Sequence, residues 1–566
     1  MKHPVPSFRG MEKVASDSPG RISRFCINAG LLFLGVIFFA LPQPNLLSAT
    51  GFPIVAYFAF VPLFVLVRRV SLRASFLWGA FYGLLCYCLF TYWLGVFHPV
   101  AMYVIGIQYF LYSLVLVPLL KLADMHFPDK GFIVQWIIWI GYEYVKTLGF
   151  AGYSYGIIGY SQWSWPVVIR IAAVFGVWGV SALVVFPSAW IAAGIKPACS
   201  GVPRTWFRAF LPFARTHALS AVVWLVCLCA ALAYGIVNTG DYSGDSHATL
   251  ALVQPNSDPW KGGFETYRRD FNTLVRLSDE ALASNPSIDL VVWPETAFIP
   301  RIDWHYRYRD DPQSWTLVSR LLEYLDTAPV PFVIGNDDAV MGPVWGGLWD
   351  RVDYNAVFVF TPGKNVIPPK PEKYHKMHLV PFTEHFPYRK AFPWIYDILV
   401  ANDTHFWEKG YDPVVFSAGG LSFSTPICFE DTFGYISRTF VQNGARAIVN
   451  LTNDAWAKSI PCQYQHLSMA VFRAVENRVP LVRSTASGQT CIVLPDGTLS
   501  AMAEPFTETW LVGDVPVLSN YTETLYTVWG DVWGVLFLVC GLVLTLAGAI
   551  RSRIETGREP RSVVES

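Results

Sequence analysis

Charge is what this sequence has little of. Only 15% of its 566 residues are Asp, Glu, Lys or Arg, and they cancel, 42 basic against 42 acidic. With a mean hydropathy of +0.36, that scarcity excludes an ordinary soluble chain and points to the bilayer. The balance removes the basic footprint of a nucleic-acid binder. A disulfide framework is missing too. Cys26, Cys86, Cys88, Cys227, Cys229 and Cys540 lie in apolar runs, where a thiol packs as a small hydrophobe, and Cys199 lies in a basic loop. The Cys-x-Cys pairs at 86/88 and 227/229 have no His or acid beside them, so neither a metal nor a cofactor is expected. Only Cys428, Cys462 and Cys491 fall in polar sequence, and spacing alone does not decide whether the last two pair. No internal repeat or low-complexity run is visible.

What is abundant is apolar sequence. A helix needs about 20 mainly apolar residues to cross the hydrocarbon. Such runs occur at 25–43, 50–67, 74–96, 100–120, 131–149, 166–194 and 217–237, with one more at 528–550. The connections alternate in charge. Lys13, Arg21, Arg24, then Arg68, Arg69, Arg73, then Lys121, Lys130, then Lys196, Arg204, Arg208, Arg215 and finally Arg551, Arg553, Arg558, Arg561 fall on one side, whereas 44–49, 97–99 and 150–165 have no Lys or Arg. The positive-inside rule then puts both termini in the cytoplasm and 238–527 outside. A cleaved signal sequence at 25–43 fits less well, because the later loops keep the alternation. The expected organisation is a tail (1–24), seven helices (25–237), a catalytic domain (238–527), a last helix (528–550) and a second tail (551–566). Three charges fall within or near the ends of spans: Glu143, Lys146 and Arg170. Glu143 and Lys146, three apart on one helix, either neutralise each other or mark a polar headgroup site beside Tyr153, Tyr155 and Tyr160.

Residues 247–518 alternate short β-branched runs with helix-like stretches, as an α/β domain does. Three of its segments carry chemistry. Glu295 follows the apolar strand Leu290–Trp293 and Pro294, a place where partial burial raises a carboxylate towards a useful base. Lys376 lies in Tyr374-His375-Lys376-Met377-His378-Leu379-Val380-Pro381-Phe382-Thr383-Glu384, and an ammonium there would stabilise a thiolate and then an oxyanion. Glu384 would orient it or keep it charged. Cys428 ends the strand-like Leu421–Cys428 and precedes a polar, Gly-terminated turn, a suitable setting for an exposed nucleophile. Each residue alone has a plain structural alternative; the three together do not.

Trp-Pro-Glu, then Lys-x-His-Leu-Val-Pro-Phe-x-Glu, then Ile-Cys-Phe-Glu, in this order, resemble the nitrilase superfamily. Asn450-Leu451-Thr452-Asn453-Asp454-Ala455-Trp456 and Arg473-Ala474-Val475-Glu476-Asn477-Arg478 resemble it too. A nitrilase domain between seven spans and a final span narrows the resemblance to the apolipoprotein N-acyltransferase family. Thr383 and Phe429 stand where that family often has Gly and Tyr. The resemblance implies an α-β-β-α sandwich with Glu295, Lys376 and Cys428 as the catalytic set. Glu384, Phe429 (through its N–H), Glu430 and Trp260 would support it. It further implies a monomer in a bacterial inner membrane with its catalytic domain on the periplasmic face, a phospholipid acyl donor, a diacylated apolipoprotein acceptor and a Cys thioester between them. Trp260, Trp345, Trp349, Phe392, Trp394, Phe406 and Trp407 are candidate lid residues. A membrane-anchored amidase shares the triad but gives no reason for seven preceding spans. An inactive scaffold gives no reason to retain the triad.

Overall fold

The computed structural model describes residues 20–97, 99–195, 206–343, 348–401, 404–518 and 520–558. Trp345, Cys199, Lys196, Arg204 and most of the two tails lie outside them.

Two six-stranded mixed sheets form the middle of the outer domain. The first contains β1 (Ser246–Gln254), β2 (Leu290–Val292), β3 (Phe332–Pro343), β4 (Trp349–Phe360), β5 (Glu372–His375) and β12 (Thr509–Val517), in the order β12-β1-β2-β3-β4-β5. The second contains β6 (Phe416–Ala418), β7 (Leu421–Ser424), β8 (Ala447–Thr452), β9 (Leu481–Thr485), β10 (Cys491–Val493) and β11 (Leu499–Met502), in the order β11-β10-β9-β8-β7-β6. Both faces of the first sheet are apolar because both are covered. Leu250, Leu252, Leu290, Val292 and Val333 pack towards the second sheet. The intervening Ala251, Val253, Val291, Phe332 and Ile334 pack under helices Phe264–Ser284 and Pro312–Thr327. Helices Gly434–Gln442 and Ile460–Asn477 cover the far side of the second sheet, which completes four layers, α-β-β-α. Between the sheets, the Ser484 hydroxyl donates to the Val253 and Val292 carbonyls.

Helix Ile460–Asn477 is the hinge of the whole architecture. All its residues except Ile460 and Tyr464 are buried, although it carries Gln463, Gln465, His466, Arg473 and Glu476. Its second face lies on the membrane bundle, so those polar groups need partners there. Gln465 donates to the carbonyls of Pro44 (2.9 Å) and Phe90 (3.2 Å) and accepts from Trp93 Nε1. Arg473 donates to the Tyr160 hydroxyl.

Among the described residues, six helices are long and apolar enough to cross a membrane: Arg21–Ala40, Leu72–Phe90, and the spanning parts of Pro99–His126, Ala172–Gly194, Ala218–Val237 and Val532–Arg558. Two expected spans take another form. The run 50–67 is divided into a 3₁₀ turn, Pro53–Phe58, and a nine-residue helix, Val61–Arg69, each with a proline in its first turn. The run 131–149 gives only the fifteen-residue helix Gly131–Val145. Helices Leu72–Phe90 and Pro99–His126 approach closely at Gly83, where a Cβ would lie 2.2 Å from the Tyr109 carbonyl oxygen.

The intramembrane charges secure connections. Lys146 Nζ donates to the Tyr87 hydroxyl (2.8 Å) and the Tyr155 carbonyl (2.9 Å), and Glu143 Oε1 accepts from Ile158 N–H (3.0 Å) and Trp139 Nε1 (3.2 Å). Both side chains hold the 153–158 loop under the outer domain rather than contacting one another. Arg170 forms a buried ion pair with Asp496 (2.8 Å) and donates to the Gly235 carbonyl, linking bundle to domain. Breaking a buried pair leaves an uncompensated charge, so Arg170→Met is expected to cost about 3–5 kcal/mol. A clear fall in the Tm of the purified protein would show it, and an unchanged Tm would deny the link any role in stability.

Candidate active site

Glu295 and Lys376 extend from the first sheet and Cys428 from the second, so the sandwich itself brings the three together. Glu295 follows β2, in a turn that crosses β3 at Gly335. A Cβ on Gly335 would lie 2.3 Å from the Pro294 carbonyl oxygen, so this position admits no side chain. Asn355 of β4 donates to Glu295 Oε1 at 2.9 Å, and the Asn453 N–H donates to Oε2 at 3.1 Å. Lys376, fully buried just after β5, places Nζ 2.8 Å from Glu384 Oε1 and 3.4 Å from Glu295 Oε1. Glu384 is itself held by the Val380 N–H on its other oxygen. Cys428 has φ +49°, a left-handed conformation that costs energy for a residue with a Cβ and aims its side chain away from the strand line. Asn450 Nδ2 steadies the turn from below, on the carbonyls of Pro426 (3.0 Å) and Cys428 (3.4 Å). The Glu295 carboxylate and the Thr452 hydroxyl are the groups near enough to the thiol to act on its protonation, together with Lys376 and Asp454.

The electrostatics follow from this packing. Burial pushes the Glu295 carboxyl up; Lys376 opposes the rise, Glu384 adds to it, and the Asn355 hydrogen bond and the nearby Cys428 thiol oppose it. Burial works against the Lys376 ammonium, but Glu384 and Glu295 outweigh it and raise its pKa, so it stays charged. Burial, then the Glu295 charge, pushes the Cys428 thiol well up, with Lys376 partly compensating. The resting pair is therefore a neutral thiol beside a carboxyl of raised basicity. That arrangement favours proton transfer during attack over a preformed thiolate.

Glu430, expected to support the site, is completely buried. Its carboxylate accepts from the N–H groups of Ile427 (2.7 Å), Met377 (2.7 Å) and His378 (2.8 Å) and from the Tyr374 hydroxyl. It ties the Cys428 turn to the Lys376 strand. Phe429 lies on the membrane side. It lines an apolar cavity of about 100 Å³ with Ala101, Val104 and Ile105 of helix Pro99–His126, Tyr153 and Phe382. Trp260 is 49% exposed, packs edge-to-face on Trp456 and donates Nε1 to the Trp456 carbonyl, three residues beyond Asn453. Trp260→Ala is expected to slow turnover by roughly tenfold, on the scale of one lost aromatic contact, with the Tm preserved. Unchanged kinetics would remove Trp260 from the site.

The other candidate lid residues are scattered. Phe392 and Trp394 stand exposed at the start of helix Pro393–Ala401, which buries none of its residues. Phe406 stacks on Tyr396 of that helix, Trp407 N–H donates to the Glu384 carbonyl, and Trp349 is exposed at the head of β4. Cys462 and Cys491 are both free thiols. Asn355, Asp431, His466 and Arg483 did not stand out in the sequence. An Asn inside the apolar β4 run was the one available signal.

Residues 249–521 match the carbon-nitrogen hydrolase family, which makes the outer portion a carbon-nitrogen hydrolase domain of nitrilase type carried on membrane helices. Residues 34–190 match the apolipoprotein N-acyltransferase N-terminal domain. The chain is 49% identical to apolipoprotein N-acyltransferase 1 of Treponema denticola, over 92% of this chain and 96% of that protein. It is 50% identical to apolipoprotein N-acyltransferase 1 of Treponema pallidum, over 95% and 99%. It is 30% identical to the apolipoprotein N-acyltransferase of Geobacter metallireducens, over 89% and 92%. The chain belongs to the apolipoprotein N-acyltransferase family.

Proposed function

We propose that this protein moves a fatty acyl chain from a membrane phospholipid, through a thioester on Cys428, to the N-terminal amine of a diacylated apolipoprotein. The observation that carries this reading is the position of Cys428. It lies near enough to Glu295 on the domain side for each group to shift the other's protonation, while its neighbour Phe429 walls an apolar cavity built partly from a membrane helix.

Glu295 takes the thiol proton as sulfur attacks the ester carbonyl. Lys376 and the Phe429 N–H stabilise the oxyanion. Collapse breaks the C–O bond, the glycerol oxygen takes the proton from Glu295, and lysophospholipid leaves. In the second half-reaction the acceptor amine attacks the thioester and Glu295 takes a proton from the nitrogen. Collapse breaks the C–S bond, and the sulfur recovers its proton. Two half-reactions through one covalent intermediate give ping-pong kinetics. Aminolysis outruns hydrolysis when water is kept out, a task suited to exposed helix Pro393–Ala401, whose Leu399 reaches the apolar cavity.

The catalytic domain lies on the periplasmic side of a bacterial inner membrane, with both termini cytoplasmic. In support, Arg68 and Lys121 cluster around Asp124 (3.5 and 2.9 Å) on the side the charge alternation assigns to the cytoplasm. The test is product analysis with purified protein, phospholipid and a synthetic diacylated lipopeptide. One N-acylated lipopeptide should form per lysophospholipid released. Free fatty acid in place of acylated peptide would mean an amidase-like hydrolase.

A further inference from the structure

Behind the Cys428 turn lies a closed charge network that the mechanism above does not use. His466, 3% exposed on helix Ile460–Asn477, places Nε2 2.7 Å from Asp431 Oδ1 and Nδ1 2.8 Å from Asp454 Oδ1. Arg483 of β9 completes the ring by pairing with Asp431 and with Asp454 Oδ2 (3.1 Å). Thr452 donates to Asp454 as well. Asp431 belongs to the same turn as Cys428. Asp454 follows Asn453, whose N–H holds the Glu295 carboxylate. The network therefore joins the mounting of the nucleophile to the mounting of the base. Its helix is fixed from the membrane side by Gln465, next to His466.

We propose that His466 is a positioning residue for acyl transfer: by bridging Asp431 and Asp454 it sets the Cys428 turn against the Asn453 turn, and so sulfur against Glu295. This rests on Cys428 and Glu295 acting as nucleophile and base. Ionised carboxylates only accept hydrogen bonds, so a ring with one at each nitrogen donates from both and carries a charge. Burial opposes that charge, but Asp431 and Asp454 outweigh it and raise the imidazolium pKa to about 9. Two cations then balance two anions. The groups facing His466 are Asp431 and Asp454, Arg483, and the Tyr155 ring, 6.4 Å away on the membrane-side loop. Asp454 pushes the Cys428 thiol up, so removing the histidine's charge leaves only Arg483 within the ring to offset that push.

The test uses the full-length protein in detergent. His466→Gln should slow single-turnover acylation of Cys428 by phospholipid at least about tenfold, a modest share of what an ångström of misplacement can cost. Its dependence on phospholipid concentration should not change. The midpoint of the pH profile for Cys428 alkylation by iodoacetamide should move to higher pH. A purely structural role would leave that midpoint in place in folded protein. Should His466→Gln not fold, the charge-balanced His466→Gln/Asp454→Asn double variant replaces it; it should return the alkylation midpoint towards the wild-type value yet stay slow in acylation. Wild-type acylation in either folded variant, or an unmoved midpoint in His466→Gln, overturns the proposal. If the wild-type protein itself gives no acyl adduct, the acyltransferase reading fails, and the alkylation midpoint alone decides the coupling of His466 to Cys428.

Discussion

Lys376→Met is expected to lower kcat/KM for acyl transfer by about three orders of magnitude. Loss of one oxyanion donor accounts for roughly 10²–10³ of this. The remainder comes from Glu295. Lys376 Nζ lies between Glu295 and Glu384 at 3.4 and 2.8 Å. Without the cation, burial and Glu384 push the Glu295 carboxyl further up, so less of it is ionised and available as a base at a given pH. The sign is testable. A base must be ionised, so activity is lost as pH falls through the Glu295 pKa. Removing Lys376 raises that pKa and moves the acid limb of the pH–rate profile to higher pH. Lys376→Met protein retaining more than about a tenth of wild-type kcat/KM would contradict the assigned role, because oxyanion donors contribute more than that.

Cys428→Ser is expected to abolish turnover, by roughly 10⁴-fold or more, as loss of a covalent nucleophile does. The substitution is nearly isosteric, and Asn450 holds the turn through backbone carbonyls, so the fold should survive. The difference is chemical. Glu295 can relieve a thiol of its proton, but a serine hydroxyl is far more basic when ionised. Phospholipid binding should persist, since the apolar cavity is walled by Phe429, Phe382 and the membrane helix rather than by sulfur. Measured binding with undetectable acyl transfer is the expected pair of results. Appreciable turnover by Cys428→Ser would mean that sulfur is not the attacking atom.

The site was legible where chemistry and strand ends coincide. Glu295 and Cys428 each close a strand-like run and Lys376 follows the short polar strand β5, and strands carry such residues to one edge of a sandwich. Asn355, 60 positions from Glu295 in sequence, was not legible, because only the pairing of β4 with β3 brings it to the carboxylate. His466 was obscured for a related reason. Its partners come from two other turns and from β9, and no spacing rule connects them. Glu430 shows the limit of proximity in sequence. Two positions from Cys428, it is spent on backbone N–H groups inside the fold. In the membrane portion, mean hydropathy located the apolar runs but not their interruptions. Pro53 and Pro62 each begin a new helical segment, which turns the expected 50–67 span into two short pieces. Glu143 and Lys146, spaced for mutual contact on one helix, are drawn instead to the unpaired backbone groups and the tyrosine of the adjacent loop and helix.

The most direct measurement is the intact mass of the purified protein after incubation with phospholipid alone. One added acyl chain, mapped to Cys428, stable in buffer and released on addition of a diacylated lipopeptide, is the predicted result. An unmodified Cys428, or an adduct that water discharges as fast as the lipopeptide does, would contradict it.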